Sequence, residues 1–287
     1  MNYRKKIDVN VIRFPKGFEE EDRGLKGCCK PCKVLASSTD LDNEKNDITG
    51  VYIKSSDVSD IVTFSITKCG TSGALSQLGD VGIFPNDDLL VGFIYNWREY
   101  LTTYGIGTYT IRVDFTISGV TGGYVMGMYD LNEFSIDSAR GTVRVWSEFN
   151  SYFQKDLADF TNSNFKDSVR FNGFFGNREP KTEVNNLITK GRKVEKITRE
   201  NLNMWTLRTD PVTICVTRRL LNFHFLCEDT ILISDHNASN HDYLLFDVPV
   251  VIEDTPEIEY IDRSRLAKIT ATFGDRAKLS KSFYNVQ

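Results

Sequence analysis

Alternation of apolar and polar side chains is the strongest signal in this chain. In Tyr109-Thr110-Ile111-Arg112-Val113-Asp114-Phe115-Thr116-Ile117 every odd position is apolar and every even one polar. Successive strand residues point to opposite faces, so the run predicts a strand with one buried and one wet face. Ser118–Gly123 (SGVTGG) supplies a turn, and Tyr124–Tyr129 predicts the returning strand of a hairpin. Upstream, Val62, Phe64 and Ile66 alternate with Thr63, Ser65 and Thr67; downstream, Val143, Val145 and Phe149 continue the pattern after Gly141. Gly105-Ile106-Gly107 lacks the later glycine and helix of a phosphate cradle and predicts only the opening of the strand near Thr108.

The second half repeats the theme with more charge. Ser151–Asp167 predicts a short helix or loop and marks a domain boundary, followed by short strands at Val184–Thr189, Lys193–Thr198 and Leu202–Arg208. Asp210-Pro211 then gives a helix-start signal, a capping side chain before a residue preset for the first turn. Positions 212, 215, 216, 219, 220, 223, 226 and 227 are all apolar except Arg219, which predicts one packed helix over about 211–226. Strands resume at Ile231–Ser234, at Leu244–Ile252 and at Ala267–Phe273. Pro249 cannot donate to a ladder, so its strand is an edge or carries a bulge.

The predicted class is mainly β: antiparallel sandwich or barrel modules with that one helix and extended N- and C-terminal arms. Residues 1–47 have too little apolar surface for a core and predict an arm; 48–150 form a sandwich-like region, 168–275 a second β region, and 276–287 a basic tail. Composition agrees, with 19 Phe, 12 Tyr and 3 Trp against 7 Pro, and only 3 His limit histidine-based chemistry. No apolar run reaches the roughly 18–20 residues of a membrane span, and the start has no signal-peptide pattern. A cytosolic site of synthesis and reduced thiols are expected.

A net charge of −4 argues against a general nucleic-acid binder. That average conceals polarity. Residues 1–33 hold nine Lys/Arg against five Asp/Glu, whereas Val250–Asp262 carries Glu253, Asp254, Glu257, Glu259 and Asp262 with no base. Basic character returns from Arg263 and Arg265 onward. Solvated ends are the ordinary explanation. The sharper expectation is that Glu253, Asp254, Glu257, Glu259, Arg263 and Arg265 form an interaction surface for neighbouring copies or partners.

Candidate chemistry is sparse. Cys29 and Cys32 have CxxC spacing, but no second pair or His pair completes a zinc site, so the thiols of Cys28, Cys29 and Cys32 read as incidental. The loop Asp235–Asp242 gathers His236 and His241 with two aspartates, weak metal or acid–base candidates in what is expected to be an exposed connection. No nucleophile or phosphate motif accompanies them. No catalytic residue, metal or cofactor is expected.

The phrases DLNEFS, GTVRVWSEFN, FNGFFGNREP, LRTDPVTICVTRRLL, ILISDHNASNHDYLLFDVPVVIEDTPE and RSRLAKITATFGD, together with the Tyr109–Tyr129 hairpin, span roughly residues 105–275. In texture this stretch resembles the structural tail and neck proteins of crAss-like podoviruses that infect Bacteroidetes. The resemblance implies a non-enzymatic virion component, a ring-forming homo-oligomer between portal and tail with neck, tail and portal proteins as partners. It implies no membrane and no sequence-specific nucleic acid, with DNA passing through the ring. No site residue is transferred by it. The alternative is a carbohydrate- or receptor-binding β-sandwich on the virion tail; a glycan hydrolase, which would need paired carboxylates in a cleft, ranks behind both.

Overall fold

The computed structural model describes residues 31–42, 45–55, 60–82, 84–117, 120–154, 156–188, 194–237, 245–262, 264–276 and 279–280. The fold is mainly β, as the alternation predicts. Its first part runs β1 (Cys32–Ala36), β2 (Ile48–Lys54), β3 (Ile61–Lys68), β4 (Gly79–Gly82), β5 (Leu90–Asn96), a helix over Trp97–Tyr104, β6 (Gly107–Ile117) and β7 (Val120–Glu133). β6 and β7 form the expected hairpin, flanked by β3 on one side and by β1, in parallel, on the other. Tyr109, Ile111, Val113 and Phe115 of β6 are buried while Arg112 is exposed.

A three-stranded sheet, β2-β5-β4, packs on this one. Val51, Ile53, Phe93 and Tyr95 share a core with Phe64, Ile66, Ile111 and Val113. On the opposite face Tyr52 and Leu90 enter a second core. Covered on both sides, β2 is buried throughout from Ile48 to Ile53. It is the middle layer of the molecule.

That second core belongs to a barrel built from β8 (Thr142–Phe149), β9 (Tyr152–Phe153), β10 (Ala158–Asp159), β11 (Phe165–Ile188), β12 (Val194–Thr209), β13 (Val212–Thr213), β14 (Thr230–Asp235), β15 (Leu245–Ile252), β16 (Glu257–Tyr260), β17 (Leu266–Asp275) and β18 (Leu279–Ser280), although β9 and β10 pair only with each other. β17 pairs with β15 and also with β12, which closes β17-β15-β14-β8-β11-β12 into a ring of strands. Closure removes the open edges that six such strands would otherwise expose. Val143, Val145, Phe171, Leu207, Ile231, Ile233, Ala271 and Phe273 fill it, joined by Leu220, Phe223 and Phe225 from the helical segment.

Several expectations change. Residues 32–47 are not an arm: β1 is laddered to β7, Leu35 and Ala36 are fully buried, and so is Asp47; residues 1–30 lie outside the described set. The break between modules is not Ser151–Asp167, because β8 already pairs with β11 and β14. The chain passes from β7 to β8 through a short helix, Ile136–Ala139, capped by Ser135. Three expected short strands are instead parts of one long β11–β12 hairpin. The packed helix covers only Ile214–Asn222, capped by Thr213 rather than Asp210, and a 3-10 turn follows at His224–Leu226. The later start has a cause: Val212 and Thr213 pair with Ala267 and Leu266, which keeps the chain extended past Pro211.

A second helix, Trp97–Tyr104, was not expected. Its aromatic and β-branched residues are mediocre helix formers. Its ends are well made, however, with the Asn96 side chain accepting from the Arg98 N–H and Gly105 at φ 76° donating its N–H to Leu101 O. Pro249 pairs in register with Leu232, and its strand carries a bulge just before it: β15 lies between β14 and β17, and its register slips near Asp247, at φ 47°.

Candidate functional site

Where the middle layer meets the barrel, the strand edges are joined by side chains instead of a ladder. β11 pairs with β12 only from Gly173 onward, so the stretch beginning at Phe165 has one free side, against which β2 lies. Gly50 makes that approach possible, since a Cβ there would come 2.3 Å from Lys166 O and 2.6 Å from the Phe165 ring. The outward backbone groups of β2 are met by β11 side chains. Ser168 Oγ accepts from Ile48 N–H at 3.0 Å and donates to Ile48 O at 2.8 Å; Asp167 Oδ1 accepts from Gly50 N–H at 3.0 Å.

Two carboxylates anchor this seam. Asp47 accepts from Arg170 Nε and Nη2, both at 2.8 Å, in a forked pair, and Oδ2 also accepts from Leu35 N–H at 2.8 Å. Asp47 thereby ties β1 to β11. Arg144 Nη1 stands 3.9 Å away, and its Nη2 donates to Asp247 at 2.6 Å. Asp167 receives the guanidinium of Arg219 through Nε at 2.9 Å and through Nη2, which pins the Ile214–Asn222 helix to the barrel. Burial pushes both carboxyls up, yet Arg170 beside Asp47 and Arg219 beside Asp167 hold them below the usual carboxylate range. Both aspartates are ionised at neutral pH.

His224 adds a third group. Its Nδ1 lies 2.9 Å from Ser147 Oγ, and its Nε2 lies 3.1 Å from Asp167 Oδ2, bent away from a straight hydrogen bond. Ser, His and Asp in this order are the ingredients of nucleophilic catalysis. Here all three are fully buried, and Asp167 is already engaged by Arg219 and Gly50. A nucleophile needs room about 3 Å away for a reacting atom. Burial also pulls His224 down, so the ring is neutral. The constellation acts as a cross-link.

Energetics define what such a cross-link does. Desolvating buried charges costs about as much as their attraction returns, so the pairs add little net stability, but removing one partner costs about 3–5 kcal/mol. Their effect is on register. A one-residue slip of β2 or β11 would turn Asp167 or Ser168 away from the groups they satisfy.

The predicted candidates fall elsewhere. Cys29, His241 and Arg263 lie outside the described residues. Cys32 opens β1, half-buried against both cores. His236 is not on an exposed connection: it is buried between Phe134 and Phe246, its N–H donates to Thr142 O, and Asp235 accepts from Phe175 N–H. Its Nε2 has no hydrogen-bond partner among the described residues, and burial with Arg170 and Arg144 nearby pulls it down to about 3. No group of three or more potential metal ligands occurs among the described residues.

The acidic segment contains a strand. Glu257–Tyr260 is strand β16, paired with β17 from Glu257↔Thr270 to Tyr260↔Ala267. Glu253 and Asp254 precede it and Arg265 follows, all exposed. An open hollow of about 580 Å³, lined in part by Lys33, Asp130 and Glu133, lies apart from these groups. Lys33 donates there to Ser138 O, and Glu133 accepts from Ser38, so its charges serve the fold.

Sequence reasoning missed Asp47, Arg144, Asp167, Arg170 and His224. One signal was present: Arg219, the single charged residue on an otherwise apolar helical face, is the residue that grips Asp167. No family model matches the chain, and no curated protein matches it.

Proposed function

We propose that this chain is a non-enzymatic structural subunit of a phage virion, copies of which close into a ring in the neck or tail between portal and tail. The observation that carries this reading is a closed barrel with one long β-ribbon and one short edge strand beyond it. Beyond the barrel, Glu179–Ile188 pairs with the stretch Val194–Met204, and among the described residues only the two of β18 join from the side. β16 adds to β17 as a short strand at the rim of the barrel sheet. Two such elements suit contacts between subunits, because head-to-tail rings need two different complementary surfaces on each copy. The buried ion pairs support the same role by fixing how the layers are registered while carrying load. Neck, tail and portal proteins are the expected partners, and an acidic ring of this kind would pass DNA without gripping it.

Mass photometry across a salt series, with negative-stain electron microscopy of the purified protein, tests this. Closed rings of one stoichiometry at low salt are the expected result. A protein that stays monomeric at high concentration and low salt overturns it.

A further inference from the structure

The β16 strand is an incomplete sheet edge with a readable complement. Among the described residues β16 is paired on one side, by β17, and all four of its residues are exposed. Ile258 and Tyr260 stand opposite Ile269 and Ala267, which are fully buried, so the core-facing side of β17 continues onto β16 without cover. Tyr260 is 64% exposed. Glu257 and Glu259 occupy the other face, where among the described residues Lys268 approaches Glu259 only at 3.9 Å. An added strand would therefore need apolar side chains on one face and basic ones on the other.

The chain contains such a segment. In Tyr3–Val11 the odd positions are Tyr3, Lys5, Ile7, Val9 and Val11, and the even ones are Arg4, Lys6, Asp8 and Asn10. One face is apolar apart from Lys5, and the other is polar with two bases near its start. Two copies of β16 pairing with each other would instead set Glu257 and Glu259 against their own kind, and like charges across a ladder repel. We propose that Tyr3–Val11 of one copy adds as a strand to β16 of a neighbouring copy, main-chain hydrogen bonds giving affinity and the Arg4/Lys6 against Glu257/Glu259 match giving direction. The inference rests on the ring reading for its second copy, and it names the two surfaces that reading leaves open.

The test is zero-length carbodiimide cross-linking of full-length protein, mixed in equal parts from unlabelled and ¹⁵N-labelled preparations, with mass photometry on the same samples. Mixed-isotope peptides joining Lys6 to Glu257 or Glu259 are expected. E257K/E259K should lower their assembly at least tenfold, and R4E/K6E in the same chain should restore it. Links found only within one isotope, or rings that form equally well in E257K/E259K, overturn the strand exchange and leave the ring reading standing. Cross-linked pairs that stop at dimers keep the exchange and overturn the ring. A wild type that remains monomeric overturns both.

Discussion

At the seam, Asp47 and Asp167 are fully buried, and each carboxylate holds an arginine and a backbone amide at once. On the β16 strand, Glu257 and Glu259 are exposed and meet mostly water. These are the same functional groups under opposite conditions. Inside, a carboxylate's cost of desolvation makes it intolerant of any missing partner, so it dictates register. Outside, screening leaves it nearly free of structural duty, and it remains available for another chain. The difference separates carboxylates that build the molecule from carboxylates left at its surface, although composition counts them alike.

Substitutions can break this contrast in order of size. Asp47→Ala strips Arg170 of its forked partner and should cost about 3–5 kcal/mol in urea unfolding, with β1 the first element to lose hydrogen-exchange protection. A loss under 1 kcal/mol would mean that the seam is wetter than its burial indicates. Gly50→Ala should cost about 1–3 kcal/mol, because the added carbon meets Lys166 O, a backbone atom that cannot swing aside.

Acid sharpens the comparison by loosening only the inside. His224 and His236 both titrate lower in the folded protein than their ordinary value of 6.5. The unfolded chain therefore takes up protons first, and stability present above about pH 6.5 is lost as pH falls toward the folded values, by about 1.4 kcal/mol per pH unit for each ring. His236→Phe, which suits a site between Phe134 and Phe246, should remove one such increment from the slope of stability between pH 6 and 5. An unchanged slope would show that His236 does not titrate in this range. Smallest of all, Glu257→Gln with Glu259→Gln should move the unfolding midpoint by no more than about 0.5 kcal/mol equivalent while altering the salt dependence of self-association. A large loss of stability would place these carboxylates with the seam.

How much of this was legible depended on whether burial followed polarity. The Tyr109–Ile117 strand was readable because its buried residues are apolar and its wet ones polar. In Phe165–Phe171 that rule fails: Asp167, Ser168 and Arg170 are as buried as Val169 and Phe171, so the alternation that marks a strand disappears. The Trp97–Tyr104 helix hid for a related reason, its signal residing in Asn96 and Gly105 rather than in eight residues of weak propensity. Barrel closure had no local signature, since β12 and β17 meet through pairings such as Trp205↔Phe273 that no spacing rule connects. The acidic character of Val250–Asp262 was plain, but its strand was not, because the alternation of Glu257, Ile258, Glu259 and Tyr260 is only four residues long and stands among further acids. The candidate site was least legible of all: only Arg219 broke pattern visibly enough to be noticed.

The parallel pairing of β1 with β7 also bears on the order in which the chain matures. Cys32 meets Tyr129, about a hundred residues later, and Asp47 needs Arg170, later still. At a translation rate of roughly 5–20 residues per second, β1 waits several seconds or more for its first ladder and longer for its ion pair. Until then Val34, Leu35 and Ala36 have nothing to bury them. A nascent chain that stops before β11 would leave Asp47 without Arg170, so the earliest part of the protein cannot settle until much of the rest has been made. In the proposed ring, that dependence would keep unfinished chains from offering a finished surface.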